Sequence, residues 1–249
     1  GYVYQFRPYM SYKFGKFTLD ASLNWYRFDK DYTYNTLVNE VNIKGNRVLP
    51  KVALKYKSVR LSYNKEVKLP EDRDLNPLID NSSPRYTRLG NANVQPSDKH
   101  NTNLYVNKYL PKSKLYYYVY ASLDVTENPV IYSRDFDGGV IKDSAVNYGR
   151  KVENYLGGQV KKTFDFINKN KLDVKLSGWT NNGISPILIN GEEYEFKSLN
   201  ISPNLIVDFN IKDKFVISQR AGYSYRNNST EGQAAIRSDG YTSSTALLL

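Results

Sequence analysis

The chain has 249 residues, of which 40% are hydrophobic and 14% aromatic, and it carries a formal net charge of +10. A mean hydropathy of -0.60 and the lack of any run of about eighteen apolar residues argue against transmembrane helices. The absence of cysteine excludes disulfides and thiolate metal sites. The 23 tyrosines favour β-strands, and they suit sites where one end of the ring contacts an apolar environment and the other end contacts water.

Alternation of apolar and polar side chains predicts four strands in the first part of the chain, at residues 2–14, 17–25, 49–57 and 59–69. Short turns at Gly15 and Ser58 join these strands in pairs. A polar excursion at 29–47 separates the pairs, and a long connection rich in Pro, Asn and Asp follows at 70–99. The pattern therefore predicts hairpins separated by long connections.

The alternation is clearest in the hairpin at 104–125, whose strands meet at 110–113. In its second strand, one face carries Leu115, Tyr117, Val119, Ala121, Leu123 and Val125. The opposite face carries Tyr116, Tyr118, Tyr120, Ser122, Asp124 and Thr126. An alternating run of about twelve residues exceeds the usual globular strand and fits a tilted strand that crosses a bilayer.

The second half of the chain predicts five more strands, at residues 153–167, 172–178, 199–211, 215–225 and 241–249. Excursions or loops are predicted at 128–147, 183–194 and 227–240, the first with Gly138 and Gly139 at its tip. Gly45 and Gly191 are also interpreted as turn glycines. The whole chain gives about eleven predicted strands.

Short and long connections alternate along the whole chain. The short connections centre on Gly15, Ser58, Pro111-Lys112, Asn168-Lys169-Asn170 and Lys212-Asp213. Bacterial outer-membrane barrels combine short periplasmic turns with long outer loops in this way. The fold class predicted is all-β: an antiparallel up-and-down transmembrane β-barrel with residues 1–249 forming one barrel segment. Open strand edges in lipid would leave backbone groups unpaired, so this segment is expected to be an incomplete part of a larger barrel.

Basic residues gather at the short turns. The lysines concerned are Lys13, Lys16, Lys55, Lys57, Lys112, Lys114, Lys169, Lys171, Lys212 and Lys214. Lysines beside aromatic side chains suit a barrel rim at the inner leaflet, which makes outer-membrane lipid the expected partner. A nucleic-acid surface would place basic and aromatic residues on one continuous face, so no nucleic-acid partner is predicted.

The polar faces of the predicted strands supply candidate residues for the barrel lumen. The lumen-facing polar residues predicted are Asp20, Arg60, Asp124, Asp165, Asp173 and Asp208. They are expected to form structural ion pairs or to line a substrate path. In or near the outer loops, Tyr132, Phe136, Tyr148 and Tyr194 are the candidate ligand-binding residues. Exposed aromatics there could stack on sugars or aromatic ligands, or pack loop against loop.

Other chemistry is not indicated. His100 is the only histidine and is interpreted as a surface or lumen residue. Glu71, Asp72, Asp74 and Asp80 match no EF-hand spacing and are interpreted as a solvated loop. We therefore predict no metal site, no cofactor and no catalytic residues. An enzyme is disfavoured because no nucleophile elbow or triad is visible.

The long connection contains a motif-like stretch between two strands, Leu89-Gly90-Asn91-Ala92-Asn93-Val94-Gln95-Pro96. It resembles the G-N-P-x-L-x-P-E stretch of TonB-dependent receptors, especially the outer-membrane β-barrel family of Bacteroidota. The preceding residues 61–67, Leu69-Pro70 and Leu75-Asn76-Pro77 resemble the same family, so that the likeness covers 49–107. Ala92 replaces the usual Pro, and Ser97 stands where Glu is common.

The resemblance implies a barrel of about twenty-two strands around an N-terminal plug, in the bacterial outer membrane. Neither the plug, the signal peptide nor a TonB box is visible in this chain. The implied function is uptake of a nutrient, with the TonB system acting through the plug and a surface lipoprotein or other subunit as a further partner. The ligand is left open among small molecules, glycans and peptides. Two alternatives remain: a structural or assembly subunit of a surface complex, and a soluble glycan-binding β-sandwich.

Overall fold

The computed structural model describes residues 2–34, 39–76, 80–83, 85–212 and 214–248. Within this part of the chain there are sixteen strands and one short α-helix. They are β1 (Tyr2–Phe6), β2 (Tyr9–Phe14), β3 (Phe17–Tyr34), β4 (Asn39–Tyr56), β5 (Val59–Lys68), α1 (Asp72–Leu75), β6 (Asp80–Ser83), β7 (Tyr86–Leu89), β8 (Ser97–Leu110), β9 (Leu115–Glu127), β10 (Val130–Asp137), β11 (Val140–Asn147), β12 (Arg150–Asp165), β13 (Lys171–Ile189), β14 (Glu192–Ile211), β15 (Phe215–Thr230) and β16 (Ile236–Leu248). Among these residues, no helix has the length and apolarity needed to cross a membrane.

The main wall is a row of antiparallel neighbours. Its order is β1 and β2, then β3, β4, β5, β8, β9, β12, β13, β14, β15 and β16. β1 and β2 both pair with β3 and are separated at Pro8, which lacks a backbone N–H. Counted as one interrupted strand, they bring the wall to eleven crossing strands. The predicted number of strands and their up-and-down order are confirmed.

The register gives the wall two chemically different faces. Cross-strand partners share a face, as Leu54, Leu61, Leu104 and Ala121 do along four neighbouring strands. We call this the apolar face and the opposite one the polar face. Large apolar side chains stay exposed on the apolar face: Leu123 by 45%, Leu176 by 56% and Leu205 by 39%. The apolar face therefore packs against no second sheet in the described part of the chain.

The apolar band has the height of a membrane. On β14 it runs over residues 199–211, which is roughly 40 Å of extended strand. At the tilt usual in membrane barrels this gives a band about 30 Å tall. Below it, rings stack near the short turns, with centroids 5.3 Å apart for Phe14 and Phe17 and 4.5 Å apart for Phe17 and Tyr56. Lys57 Nζ lies 5.3 Å from the Tyr56 ring centroid, as expected at a membrane rim.

A second group of elements forms a loop layer at the end of the wall opposite the short turns. We define the loop layer as the described residues of 69–96 and 128–149, which include α1, β6, β7, β10 and β11. β10 pairs in parallel with the end of β13 through Ser133 with Leu188 and Arg134 with Ile189. β11 then pairs with β10 and, in parallel, with β7. The loop layer is thus joined by backbone pairing to the end of β13.

The loop layer also packs against the polar face of distant strands. The buried apolar cluster of the described residues joins Leu75, Val94 and Ala145 of the layer to Phe28, Val41 and Ile43 of the wall. β11 is two strands away from β13, whereas β4 is five strands away along the wall. Five steps correspond to about 24 Å. The loop layer therefore extends over the polar face of the wall, from β13 to β3 and β4.

Several outer connections are shorter than the sequence predicted. The predicted loop at 183–194 is wrong, because β13 and β14 continue through it to a two-residue turn at Asn190 and Gly191. Both turn residues have positive φ, 52° and 78°, as a type I′ hairpin requires. The predicted excursions at 29–47 and 227–240 are likewise mostly strand. Asp213, which belongs to a predicted short turn, and Pro77, part of the resemblance, lie outside the described residues.

Gly45 is not a turn glycine, contrary to the sequence prediction. It lies inside β4 opposite Phe28. A Cβ atom on Gly45 would be 2.2 Å from Cζ of Phe28, so the ring of Phe28 covers the backbone at this point. The missing side chain lets Phe28 lie in the buried cluster beneath the loop layer.

A charge on the apolar face tests the membrane assignment. We expect Leu205→Arg to lower the free energy of unfolding from vesicles by about 2–4 kcal/mol, because the guanidinium would lie near the bilayer midplane. The control is Asn204→Arg, one residue away on the polar face, for which we expect a change of less than about 1 kcal/mol. Urea titration of both variants in vesicles measures the difference, and equal losses would contradict the assignment.

Candidate functional site

The residues of the motif-like stretch hold the loop layer together. Gly90 donates its N–H to the Asn76 carbonyl at 3.0 Å. A Cβ atom on Gly90 would be 2.4 Å from that oxygen, so this approach requires glycine. Asn91 donates its backbone N–H to Asp74 O at 2.7 Å and its side-chain amide to Ala145 O at 3.1 Å. Asn91 thereby joins α1 to β11.

The end of the same stretch anchors the layer to the wall. Gln95 donates its N–H to Asn147 Oδ1 at 2.6 Å, and Asn147 Nδ2 donates to the carbonyls of Gln95 and Asn128, both at 2.9 Å. Ser97, the first residue of β8, is 2% exposed and donates its hydroxyl to Asn128 O at 2.9 Å. Ala92, where the resembling motif has Pro, is exposed. The two departures from the motif therefore leave this hydrogen-bonded junction intact.

An ion pair between the exposed Arg134 and the buried carboxylate of Asp143 stabilises the hairpin of β10 and β11. Arg134 donates Nε and Nη2 to the two carboxylate oxygens of Asp143, each at 2.8 Å. Tyr86 donates its hydroxyl to Asp143 at 2.9 Å. The Arg134 hydrogen bonds lower the pKa of Asp143 and outweigh the opposing effect of its burial.

Tyr132 lies at the centre of the loop layer. Its hydroxyl donates to Asp74, and the Arg88 guanidinium is 4.1 Å from its ring centroid. Burial raises the pKa of Tyr132, and the hydrogen bond to Asp74 adds to the shift. Asp74 is only 7% exposed and also accepts the Glu71 N–H at 3.1 Å. The predicted solvated acidic loop is therefore wrong for Asp74, which is part of the fold; the side chain of Asp80 lies outside the described residues.

A cavity of about 580 Å³ lies between the loop layer and the polar face of the wall. The wall contributes polar-face residues of β5, β8, β9, β12 and β13, and the layer contributes residues of 69–74 and 129–132. Four basic and four acidic side chains line it: Lys68, Arg73, Lys99, Lys151, Glu66, Glu71, Asp74 and Glu153. Despite the net charge of +10, the lining is balanced. The cavity has the size and mixed character of a small-ligand site.

A sequence profile of the outer membrane protein beta-barrel family matches residues 8–247. The chain belongs to this family. The protein is therefore a β-barrel of the bacterial outer membrane, as the sequence predicted. The alternative of a soluble β-sandwich is wrong. No curated protein matches the chain.

All six polar residues predicted for the barrel lumen share the polar face of this outer-membrane barrel. They are Asp20, Arg60, Asp124, Asp165, Asp173 and Asp208. Several are paired: Lys55 Nζ lies 2.7 Å from Asp20, Lys99 Nζ 2.8 Å from Asp124 and Lys161 Nζ 2.9 Å from Asp173. Lys114 also pairs with Asp165. Asp173 and Asp208 are direct register partners. These pairs give the polar face a structural role.

The four aromatic residues predicted to bind ligand are not brought together. Tyr132 lines the cavity. Phe136 is 56% exposed near the outer end of β10. Tyr148 donates its hydroxyl to Glu193 at 2.7 Å, and Tyr194 donates to Glu192 at 2.7 Å. The last three are not among the residues that line the cavity, and their contact with a ligand stays a prediction.

Sequence reasoning did not single out most of the cavity residues. Lys99, Thr126 and Glu153 contribute from three different strands. Alternation does place each of them on the polar face, but the sequence carries no signal for the folding of 129–132 above them. Non-local pairing of β10 with β13 creates the cavity.

His100 lies in β8, on the same face of the wall as Tyr63. Its Nδ1 lies 2.8 Å from the Tyr63 hydroxyl. In the part of the chain that the structure describes, no group of three or more His, Asp or Glu side chains is placed to hold a metal ion.

Acid should loosen the loop layer. The pKa of Asp143 is lowered in the folded state from 3.8, so its pairing stabilises the layer above about pH 4 and is lost as the pH falls through the folded pKa. Hydrogen exchange of the amides of 130–147, corrected for intrinsic rates, should show falling protection on acidification. We expect Asp143→Asn to lower protection at pH 7 by about 1–2 kcal/mol and to flatten the pH dependence. Full protection of the wild-type layer at pH 3 would contradict this expectation.

Proposed function

We propose that the protein is an uptake receptor of the TonB-dependent type, from a Bacteroidota outer membrane, that binds a nutrient at its outer end. The observation that carries the proposal is the role of residues 89–97. The stretch that resembles the receptor motif is also the stretch that fastens the loop layer over the polar face. A barrel with a purely mechanical role has no need of a folded layer that encloses a cavity of about 580 Å³.

The cavity is the proposed binding site for the nutrient. A ligand there would touch the loop layer through Tyr132 and the wall through Lys99 and Glu153. The balanced charges favour a ligand without a large net charge. The six polar residues predicted for the lumen would line the passage below the cavity, and their ion pairs would keep that wall rigid.

Release of the bound nutrient from the cavity would require energy. The TonB system would supply it by pulling on a plug domain held against the polar face. The loop layer is fixed by backbone pairing to β13 and by packing on β3 and β4. We propose that it keeps the bound nutrient over the passage until the plug moves. A surface lipoprotein or another subunit would act as an additional partner outside the loop layer.

The experiment compares nutrient-limited growth in four strains: wild type, a strain without this gene, a strain without TonB, and a strain with the Asn91→Ala variant. The nutrients are ferric citrate, cobalamin, neutral oligosaccharides and peptides, each supplied as the limiting source. We expect growth on at least one to require both the gene and TonB. Asn91→Ala should reduce the initial uptake rate by about fivefold or more, because the side-chain hydrogen bond to Ala145 O of β11 is lost.

The matched control is Asn93→Ala, in the same stretch, whose side chain is exposed. Its uptake should stay within about twofold of wild type. Surface exposure of both variants is checked by proteolysis of whole cells. Growth that is independent of TonB on every nutrient, or unchanged by deletion of the gene, would contradict the proposal. Co-purification of partner subunits with unchanged uptake would favour a structural or assembly barrel instead.

A further inference from the structure

The polar face carries an aromatic cluster below the cavity. Tyr120, Tyr155 and Trp179 lie on the three neighbouring strands β9, β12 and β13. Ring centroids are 5.6 Å apart for Tyr120 and Tyr155 and 6.4 Å apart for Tyr155 and Trp179, whose planes differ by 15°. Trp179 is 43% exposed. Contact with lipid does not explain these large rings, because they lie on the polar face.

A glycine determines how this cluster is presented. Gly157 is the register partner of both Tyr120 and Trp179. A Cβ atom on Gly157 would lie 2.6 Å from the Tyr155 hydroxyl, so the side chain of Tyr155 lies across the glycine along the sheet. The covered glycine is buried. Tyr155 is therefore held over Gly157, with its ring plane within 15° of that of Trp179.

Polar side chains connect the cluster to the cavity. Tyr120 donates its hydroxyl to Asn103 Oδ1 at 2.6 Å. Asn103 is hydrogen-bonded to Asn101, and Asn101 to Asp124. Asp124 lies 2.8 Å from Lys99 Nζ, which lines the cavity. On β8, the distance from residue 99 to residue 105 is roughly 20 Å. Cavity and cluster are thus the two ends of one continuous strip.

The chemistry of the strip fits a neutral, polyhydroxylated ligand. On β8, β9 and β12 its charged side chains are paired, Lys99 with Asp124 and Lys151 with Glu153 above the cluster, and Lys161 pairs with Asp173 below it. What remains on the strip is amide groups, phenol hydroxyls and ring faces. A sugar offers hydroxyls to amides and an apolar C–H face to an aromatic ring. A charged chelate or a charged peptide would need unpaired charges as recognition groups.

We propose that the polar face of β8, β9, β12 and β13 binds a neutral oligosaccharide along this strip, from the cavity to the rings of Tyr120, Tyr155 and Trp179. The proposal rests on the proposed uptake function and names its substrate class. The sugar rings stack on Tyr155 and Trp179, while the asparagines of β8 exchange hydrogen bonds with its hydroxyls.

The test measures binding to the protein purified from outer membranes in detergent. The probes are neutral hexasaccharides of glucose and xylose, with a neutral hexapeptide and ferric citrate as rivals, titrated by calorimetry. We expect at least one oligosaccharide to bind. Trp179→Ala and Tyr155→Ala should each weaken its binding by about tenfold. Gly157→Ala should weaken it as well, because the Tyr155 ring is displaced although it is still present.

The matched control is Trp25→Ala, which changes the chain's other tryptophan, on the apolar face. Its affinity should stay within about twofold of wild type. Failure of every oligosaccharide to bind, binding of only the peptide or chelate, or binding that Trp179→Ala leaves unchanged would overturn the inference. Oligosaccharide binding that depends on Trp179 in a barrel whose uptake is independent of TonB would leave the inference standing and overturn the proposed function alone.

Discussion

The structure depends on one constraint: a chain in a lipid bilayer must pair its own backbone groups, because the hydrocarbon offers no partner for them. Antiparallel strands satisfy the constraint, and their two-residue period gives every strand one face for lipid and one for the interior. Here the two faces stay distinct along the wall, from Leu54 of β4 to Ala121 of β9 and from Leu176 of β13 to Leu205 of β14. Exposed leucines on one face and paired carboxylates on the other are both consequences of it.

The interior face is not left open at its outer end. The buried apolar cluster lies where the loop layer meets β3 and β4, and not within the wall. A barrel wall does not form a buried apolar core by itself. A buried apolar cluster therefore requires segments, such as the loop layer, that fold back over the wall. Single residues hold the loop layer in this position: the ring of Phe28 lies over Gly45, and Asn91 lies between α1 and β11. The same arrangement creates the cavity.

Alternation allowed the eleven crossing strands and their faces to be predicted, since lipid on one side and water on the other leave a regular signal. Alternation does not reveal a strand where both of its faces contact water, as in the outer parts of β13 and β14. There, Asn190-Gly191 is a strong hairpin signal of its own. Pairing between strands that are distant in the sequence also could not be predicted. Tyr132 was recognised as an outer-loop aromatic, but its position beneath Arg88 depends on β10 joining β13.

Because the chain contains no cysteine, single cysteines introduced along β14 can carry one spin label each. The decisive measurement is the accessibility of labels at successive positions 199–209, in bilayers, to oxygen in the lipid and to a nickel complex in water. We expect oxygen to reach the odd positions and nickel the even ones, with a period of two. Accessibility without that period, or odd positions shielded from both reagents, would contradict the assignment of the apolar face to lipid.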